Sequence, residues 1–234
     1  MFQTNPFTLI VLFVGLSLLP FVAMIATSYL KIVVVMSLIR NALGIQSIPP
    51  NMVVNALAMI LTFYIMAPMA SESWQILSAK AENAKVESSS AQPQAAQSST
   101  VNLSTFEPSA LAEAAEPFRK FLSDHTSPRE RAFFVNTAET LWGKDGEPAV
   151  VDPESFYILL PSFCVSELTK AFQIGFLVYL PFIAIDIIVS NILLAMGMMM
   201  VSPVTISLPF KLLLFVMVNG WTLLIQGLVR GYVL

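Results

Sequence analysis

The chain is predicted to be all-α and membrane-associated, with two apolar helical hairpins flanking a helical polar insert. Three observations lead there: 56% hydrophobic against 12% charged residues, long uncharged runs at both ends, and charge gathered in the middle. Soluble domains carry about twice that charge. Residues 72–154 hold 20 of the 27 Lys, Arg, Asp and Glu residues. The divisions that follow are 1–71, 72–154 and 155–234, with net charges of +2, -6 and +1 that sum to the chain's -3.

Residues 7–29 are uncharged, and as a helix at about 1.5 Å per residue they reach roughly 35 Å, enough to cross a hydrocarbon core. A cleavable signal peptide is the competing reading, but no Lys or Arg precedes the stretch and no A-x-A site follows it, so it is kept in the mature protein. Gly44–Pro50 reads as a turn and Asn51–Ala70 as the second apolar helix, closing a hairpin. In the insert, residues 86–105 are dominated by Ser, Thr, Ala and Gln and read as a flexible excursion. Helical spacing resumes at Leu111, Ala115, Phe118, Phe121 and Leu122. Ser127-Pro128-Arg129-Glu130 has the form of a capping box, predicting a helix Pro128–Trp142 ended by Gly143, and Asp152-Pro153 reads as the next start. The last block carries uncharged runs separated by Asp186 and Lys211, with a second hairpin turning near residues 202–209.

Lys31 and Arg40 lie between the first two apolar segments, and the positive-inside bias places them in the cytoplasm. Both hairpin turns then face the cytoplasm, and the acidic insert and both termini face outward. Pro20, Pro161 and Pro181 within apolar stretches, with Asn55, Asp186, Asn191 and Asn219, are groups that lipid-facing helices accommodate badly. They point to helices that meet protein, either in their own bundle or in other subunits.

Composition narrows the function classes. No basic stripe is available to neutralise phosphates, which excludes nucleic acid as a partner. One cysteine (Cys164, in an apolar run) and one histidine (His125, in a polar one) exclude an internal disulfide, a CxxC site and a site of several imidazoles. No P-loop, dinucleotide, zincin or nucleophile-elbow pattern occurs, so no catalytic residue, metal or cofactor is expected.

Two strings resemble the FliP/SctR export-gate family: RNALGIQSIPPN (Arg40–Asn51) followed by Met66-Ala67-Pro68, and the stretch Leu160–Val216 containing LPSFCVSELTKAF and AMGMMMVSPVTISLPFKLLLF. The likeness runs from about Thr27 to Leu224 and is nearest to the injectisome branch. It implies a pore subunit of a type III protein export apparatus in the bacterial inner membrane, assembled from copies of itself and two smaller export-apparatus membrane proteins, with unfolded secreted proteins as cargo. It also implies that much of the hairpin material is held in protein contacts raised above the membrane plane, with the remainder touching lipid.

The resemblance gives particular residues roles. Met198, Met199 and Met200 would contribute a gasket that closes the pore, since unbranched thioethers adapt to many shapes. Glu167 and Lys211, lone charges in apolar surroundings, would form an ion pair between neighbouring subunits; the other reading leaves both in water at hairpin ends. Asp186, Asn191 and Asn219 are expected as buried polar groups within apolar helices, Asp186 bonding a neighbouring helix in preference to carrying protons. Asn219 departs from the Asp common in the family. A small multispan transporter acting alone, with a polar midplane site around Asp186, is the alternative function.

Overall fold

The computed structural model describes residues 6–45, 49–89, 112–143 and 149–232. Eight helices occur there and no strand: α1 Pro6–Ile25, α2 Tyr29–Ala42, α3 Asn51–Ser89, α4 Glu116–His125, α5 Pro128–Trp142, α6 Phe156–Ala195, α7 Pro203–Met217 and α8 Gly220–Arg230. α3 and α6 are each long and apolar enough to cross a membrane, and the pairs α1/α2 and α7/α8 raise the number of possible spans to four.

The organising element is α2. Its buried residues Lys31, Ile32, Val35, Met36, Ile39 and Ala42 recur every three to four positions, so one face of a short helix is wholly enclosed. That face meets α3 and α6, and α6 also contacts α4, α5 and α7. Gly175 leaves room for α2 at this crossing: a Cβ placed there would collide with the Leu38 side chain.

Both hairpins turn by the same backbone device. At the end of α2, Gly44 has φ 78° and the amides of Gly44 and Ile45 bond the carbonyls of Asn41 and Arg40 at 3.0 and 3.3 Å. At the end of α6, Gly197 has φ 75° and the amides of Gly197 and Met198 bond Leu194 and Leu193 at 3.0 and 2.9 Å. Each is a Schellman closure, whose left-handed residue glycine enters without a side-chain clash.

Several sequence expectations need correction. The uncharged run 7–29 is not one span: the chain breaks at Ala26–Ser28, where Thr27 Oγ1 turns back to the Ala23 carbonyl, and Lys31 and Arg40 lie in helix α2 rather than in a loop. α3 does not stop at Ala70 but continues to Ser89, because Glu, Gln, Leu, Ala and Lys propagate a helix as readily as the apolar residues before them. That extension takes in the first four residues of the 86–105 stretch; 90–105 lie outside the described residues. α5 spans Pro128–Trp142 as predicted, but its start carries no side-chain cap, and the Ser127 amide donates instead to Ser166 Oγ of α6 at 2.9 Å. Asp152 forms a turn, with α6 beginning at Phe156. α6 runs unbroken through Pro161 and Pro181, and the second turn falls at 196–202, leaving Pro209 inside α7.

Candidate functional site

Two ion-pair centres, one enclosed and one whose acid Asp186 is half-buried, and one exposed turn account for most of the residues singled out by sequence. The first centre lies where α6 crosses α2. The Glu167 side chain is 0% exposed; Lys31 Nζ approaches its Oε2 at 3.0 Å and Lys170 Nζ its Oε1 at 3.0 Å. The Tyr232 hydroxyl donates to the same carboxylate, and Lys31 Nζ stands 3.5 Å from the centre of the Tyr232 ring. Burial, and then the adjacent carboxylate, push the Tyr232 phenol up, so it stays protonated and available as a donor.

This centre also ties the insert to the apolar blocks. Lys170 Nζ donates to the His125 carbonyl at the end of α4 at 2.7 Å, while the His125 and Phe121 rings pack against Tyr232. Phe121 and Leu122 of α4, Leu159 and Phe163 of α6 and Met66 of α3 form one apolar cluster beside it. The only histidine therefore belongs to this packing, although its stretch of sequence is polar.

The second centre joins α6, α7 and the end of α2. Lys211, with its side chain 4% exposed, bonds Asp186 Oδ2 at 2.6 Å and the Ala42 carbonyl at 3.3 Å. Ser207 Oγ donates to Asp186 Oδ1 at 2.6 Å. Nearby, Arg40 reaches across the first turn to the side chain of Asn51 and the carbonyl of Pro49.

These geometries revise the expected roles. Glu167 and Lys211 are buried, not solvated at hairpin ends, and each has an opposite charge within its own chain. The electrostatic need that motivated pairing between subunits is thus already met, by Lys31 and Asp186 respectively. Asp186 does bond a neighbouring helix, and both its oxygens are engaged, which leaves the midplane transporter site without a free acid. Asn191 and Asn219 are not buried: both are exposed on the single chain. Asn219 stands at the break between α7 and α8, which bend by 59°, with φ 52° and ψ 45°. Asparagine tolerates this left-handed region better than most residues, and that accounts for its choice.

Met198, Met199 and Met200 lie in the turn between α6 and α7, at 41, 82 and 102% exposure. No helical register constrains their directions, and Met196 beside them is exposed as well. The second turn and the first lie together: a Cβ placed on Gly44 would stand 3.8 Å from Val204 Cγ1 at the start of α7.

Lys31 and Tyr232 were the residues that sequence reasoning missed. Lys31 counted as a flanking charge; its place at the start of the enclosed stripe 31, 32, 35, 36, 39 was the available signal. Tyr232 carried none.

Among the described residues no group of three or more His, Cys, Asp or Glu side chains could hold a metal ion. These features define a helical protein of membrane-capable hairpins in which charge is engaged in structural pairs and the most prominent exposed turn is apolar. The chain belongs to the FliP family, whose model matches residues 12–228. It is similar to Yop proteins translocation protein R of Yersinia pestis (49% identical, over 96% of this chain and 95% of that one). It is also similar to the hypersensitivity response secretion protein HrcR of Ralstonia nicotianae (46%, 96% of each chain) and the virulence protein YscR of Salmonella typhimurium (42%, 97% of each).

Proposed function

We propose that this chain is a core pore-forming subunit of a type III protein export apparatus in the bacterial inner membrane, conducting unfolded proteins and sealing the closed channel. Its partners would be copies of itself, two smaller export-apparatus membrane proteins and the secreted cargo, with the insert on the periplasmic side. The observation that carries the reading is the methionine turn: a run of flexible apolar side chains, exposed on one chain, at the tip of a hairpin in a protein whose relatives are named for translocation and secretion.

Two physical features support it. Of the most apolar window in α3 and in α6, only 17% is buried by the chain itself, so most of this surface needs lipid or other subunits. At 40 residues α6 extends about 60 Å, roughly twice a hydrocarbon core, and part of it must lie outside that layer. Contacts with neighbouring copies meet both demands. In this reading the turns from several subunits meet as a collar, closed by apolar contact and yielding to a passing polypeptide.

The test is to replace Met198, Met199 and Met200 together by Ala in the assembled complex. Leakage of small ions or solutes through the resting complex is the expected result, and unchanged permeability would refute the seal. Native mass of the detergent-solubilised complex tests the wider reading, since a monomer or dimer free of other proteins contradicts it.

A further inference from the structure

The structure points to a modification site in the methionine turn, and this rests on the sealing role proposed above. We infer that Met199 and Met200, with Met198, are an oxidation-sensitive element: conversion of their thioethers to sulfoxides opens the closed collar.

Clustering together with exposure singles out these residues, since Met24, Met52, Met59 and Met217 are exposed as well but stand apart from one another in the sequence. Four of the chain's twelve methionines fall within Met196–Met200, and all four are exposed. Met36 and Met66 are buried in the two apolar clusters and make internal controls. These exposures are the single chain's; in the collar a dissolved oxidant reaches first the sulfurs that face the channel, because the sulfur itself must be contacted. The Schellman closure at Gly197 ends α6 before the run, so the three side chains project from a turn and none is shielded by a succeeding helical turn.

The chemistry is balanced with one reactant from outside. A peroxide transfers one oxygen atom to the thioether sulfur; its O–O bond breaks, the sulfur is oxidised by two electrons, and water or an alcohol leaves. The product is polar and chiral where the side chain had been apolar and flexible, which disrupts methionine-rich contacts. A collar held shut by apolar contact loses that contact in each subunit oxidised. Reduction by sulfoxide reductases makes the change reversible.

The experiment uses the assembled complex in vesicles, with hydrogen peroxide as the oxidant and peptide mapping to locate added oxygen. The untreated Met198→Gln, Met199→Gln, Met200→Gln triple variant, a near-isostere of the sulfoxide, first tests the seal. If it is as tight as wild type, the seal reading fails. If it leaks, the oxidation inference is judged separately. Support consists of oxygen on Met199 and Met200 before Met36 and Met66, permeability rising towards that of the Gln variant, reversal by sulfoxide reductases, and a peroxide-resistant triple Leu variant. The inference is overturned if the buried methionines oxidise first, if oxidised wild type stays tight, or if the Leu variant leaks equally under peroxide.

Discussion

Replacing Glu167 by Met would test which cation this acid serves. The substitution leaves Lys31, whose side chain is 4% exposed, without its carboxylate partner. Removing one member of a buried pair costs about 3–5 kcal/mol, because the remaining charge is desolvated and uncompensated. The Tyr232 ring, 3.5 Å from Lys31 Nζ in a desolvated setting, offsets about 2 kcal/mol of that. The net loss is about 1–3 kcal/mol, or about 5- to 150-fold in the ratio of folded to unfolded chain. Lys31→Met should cost less, since Glu167 keeps Lys170 and Tyr232. The double variant should be more stable than the sum of the two losses implies, by about 0.5–3 kcal/mol. Glu167→Met combined with Lys211→Met should instead be additive within about 0.5 kcal/mol, because Lys211 is engaged with Asp186 and the two centres share no partner. The assay is unfolding of the detergent-solubilised single chain, followed by circular dichroism as a denaturing detergent is added. Coupling of Glu167 with Lys211, and additivity with Lys31, would refute the assignment of Lys31 as the partner of Glu167.

Three further outcomes follow from the same structure. Gly175→Ala should destabilise the α2/α6 crossing by about 1–3 kcal/mol, since the new methyl meets Leu38, and adding Leu38→Ala should recover much of the loss in the same unfolding assay. Asn219→Val should cost about 1–3 kcal/mol through its left-handed backbone, whereas Asn219→Gly and Asn219→Asp should unfold near wild type; equal effects of all three would dismiss the conformational explanation. Tyr232→Phe should lose about 1.5–3 kcal/mol with the hydrogen bond to Glu167 while keeping the ring over Lys31, so Tyr232→Ala must be the more damaging change.

The residues that sequence made legible share one property: their signal is local. Gly44 opens the first turn by its own backbone freedom, Pro128 and Gly143 bound α5, and a triplet of methionines before Val-Ser-Pro cannot be one helical face. Such features need only neighbours along the chain. Lys31, Glu167, Lys211 and Asp186 are different, because which cation meets which anion depends on how three helices cross. From the sequence Glu167, Lys211 and Asp186 were lone charges in apolar stretches, so the energetic demand for a partner was visible and its identity was not, while Lys31 read only as a flanking charge. The same limit hid Tyr232 and His125, which acquire meaning from contacts between the residues after α8, the insert and both hairpins. Hydropathy was subject to it as well: it marked 7–29 as one span because apolarity records the absence of charge, whereas the break at Ala26–Ser28 arises where α2 must turn its buried face, beginning at Lys31, towards Glu167. Charge pairing across helices thus shapes the first hairpin as much as its apolar residues do, and a protein read only as membrane spans would miss the contact that aligns its two apolar blocks.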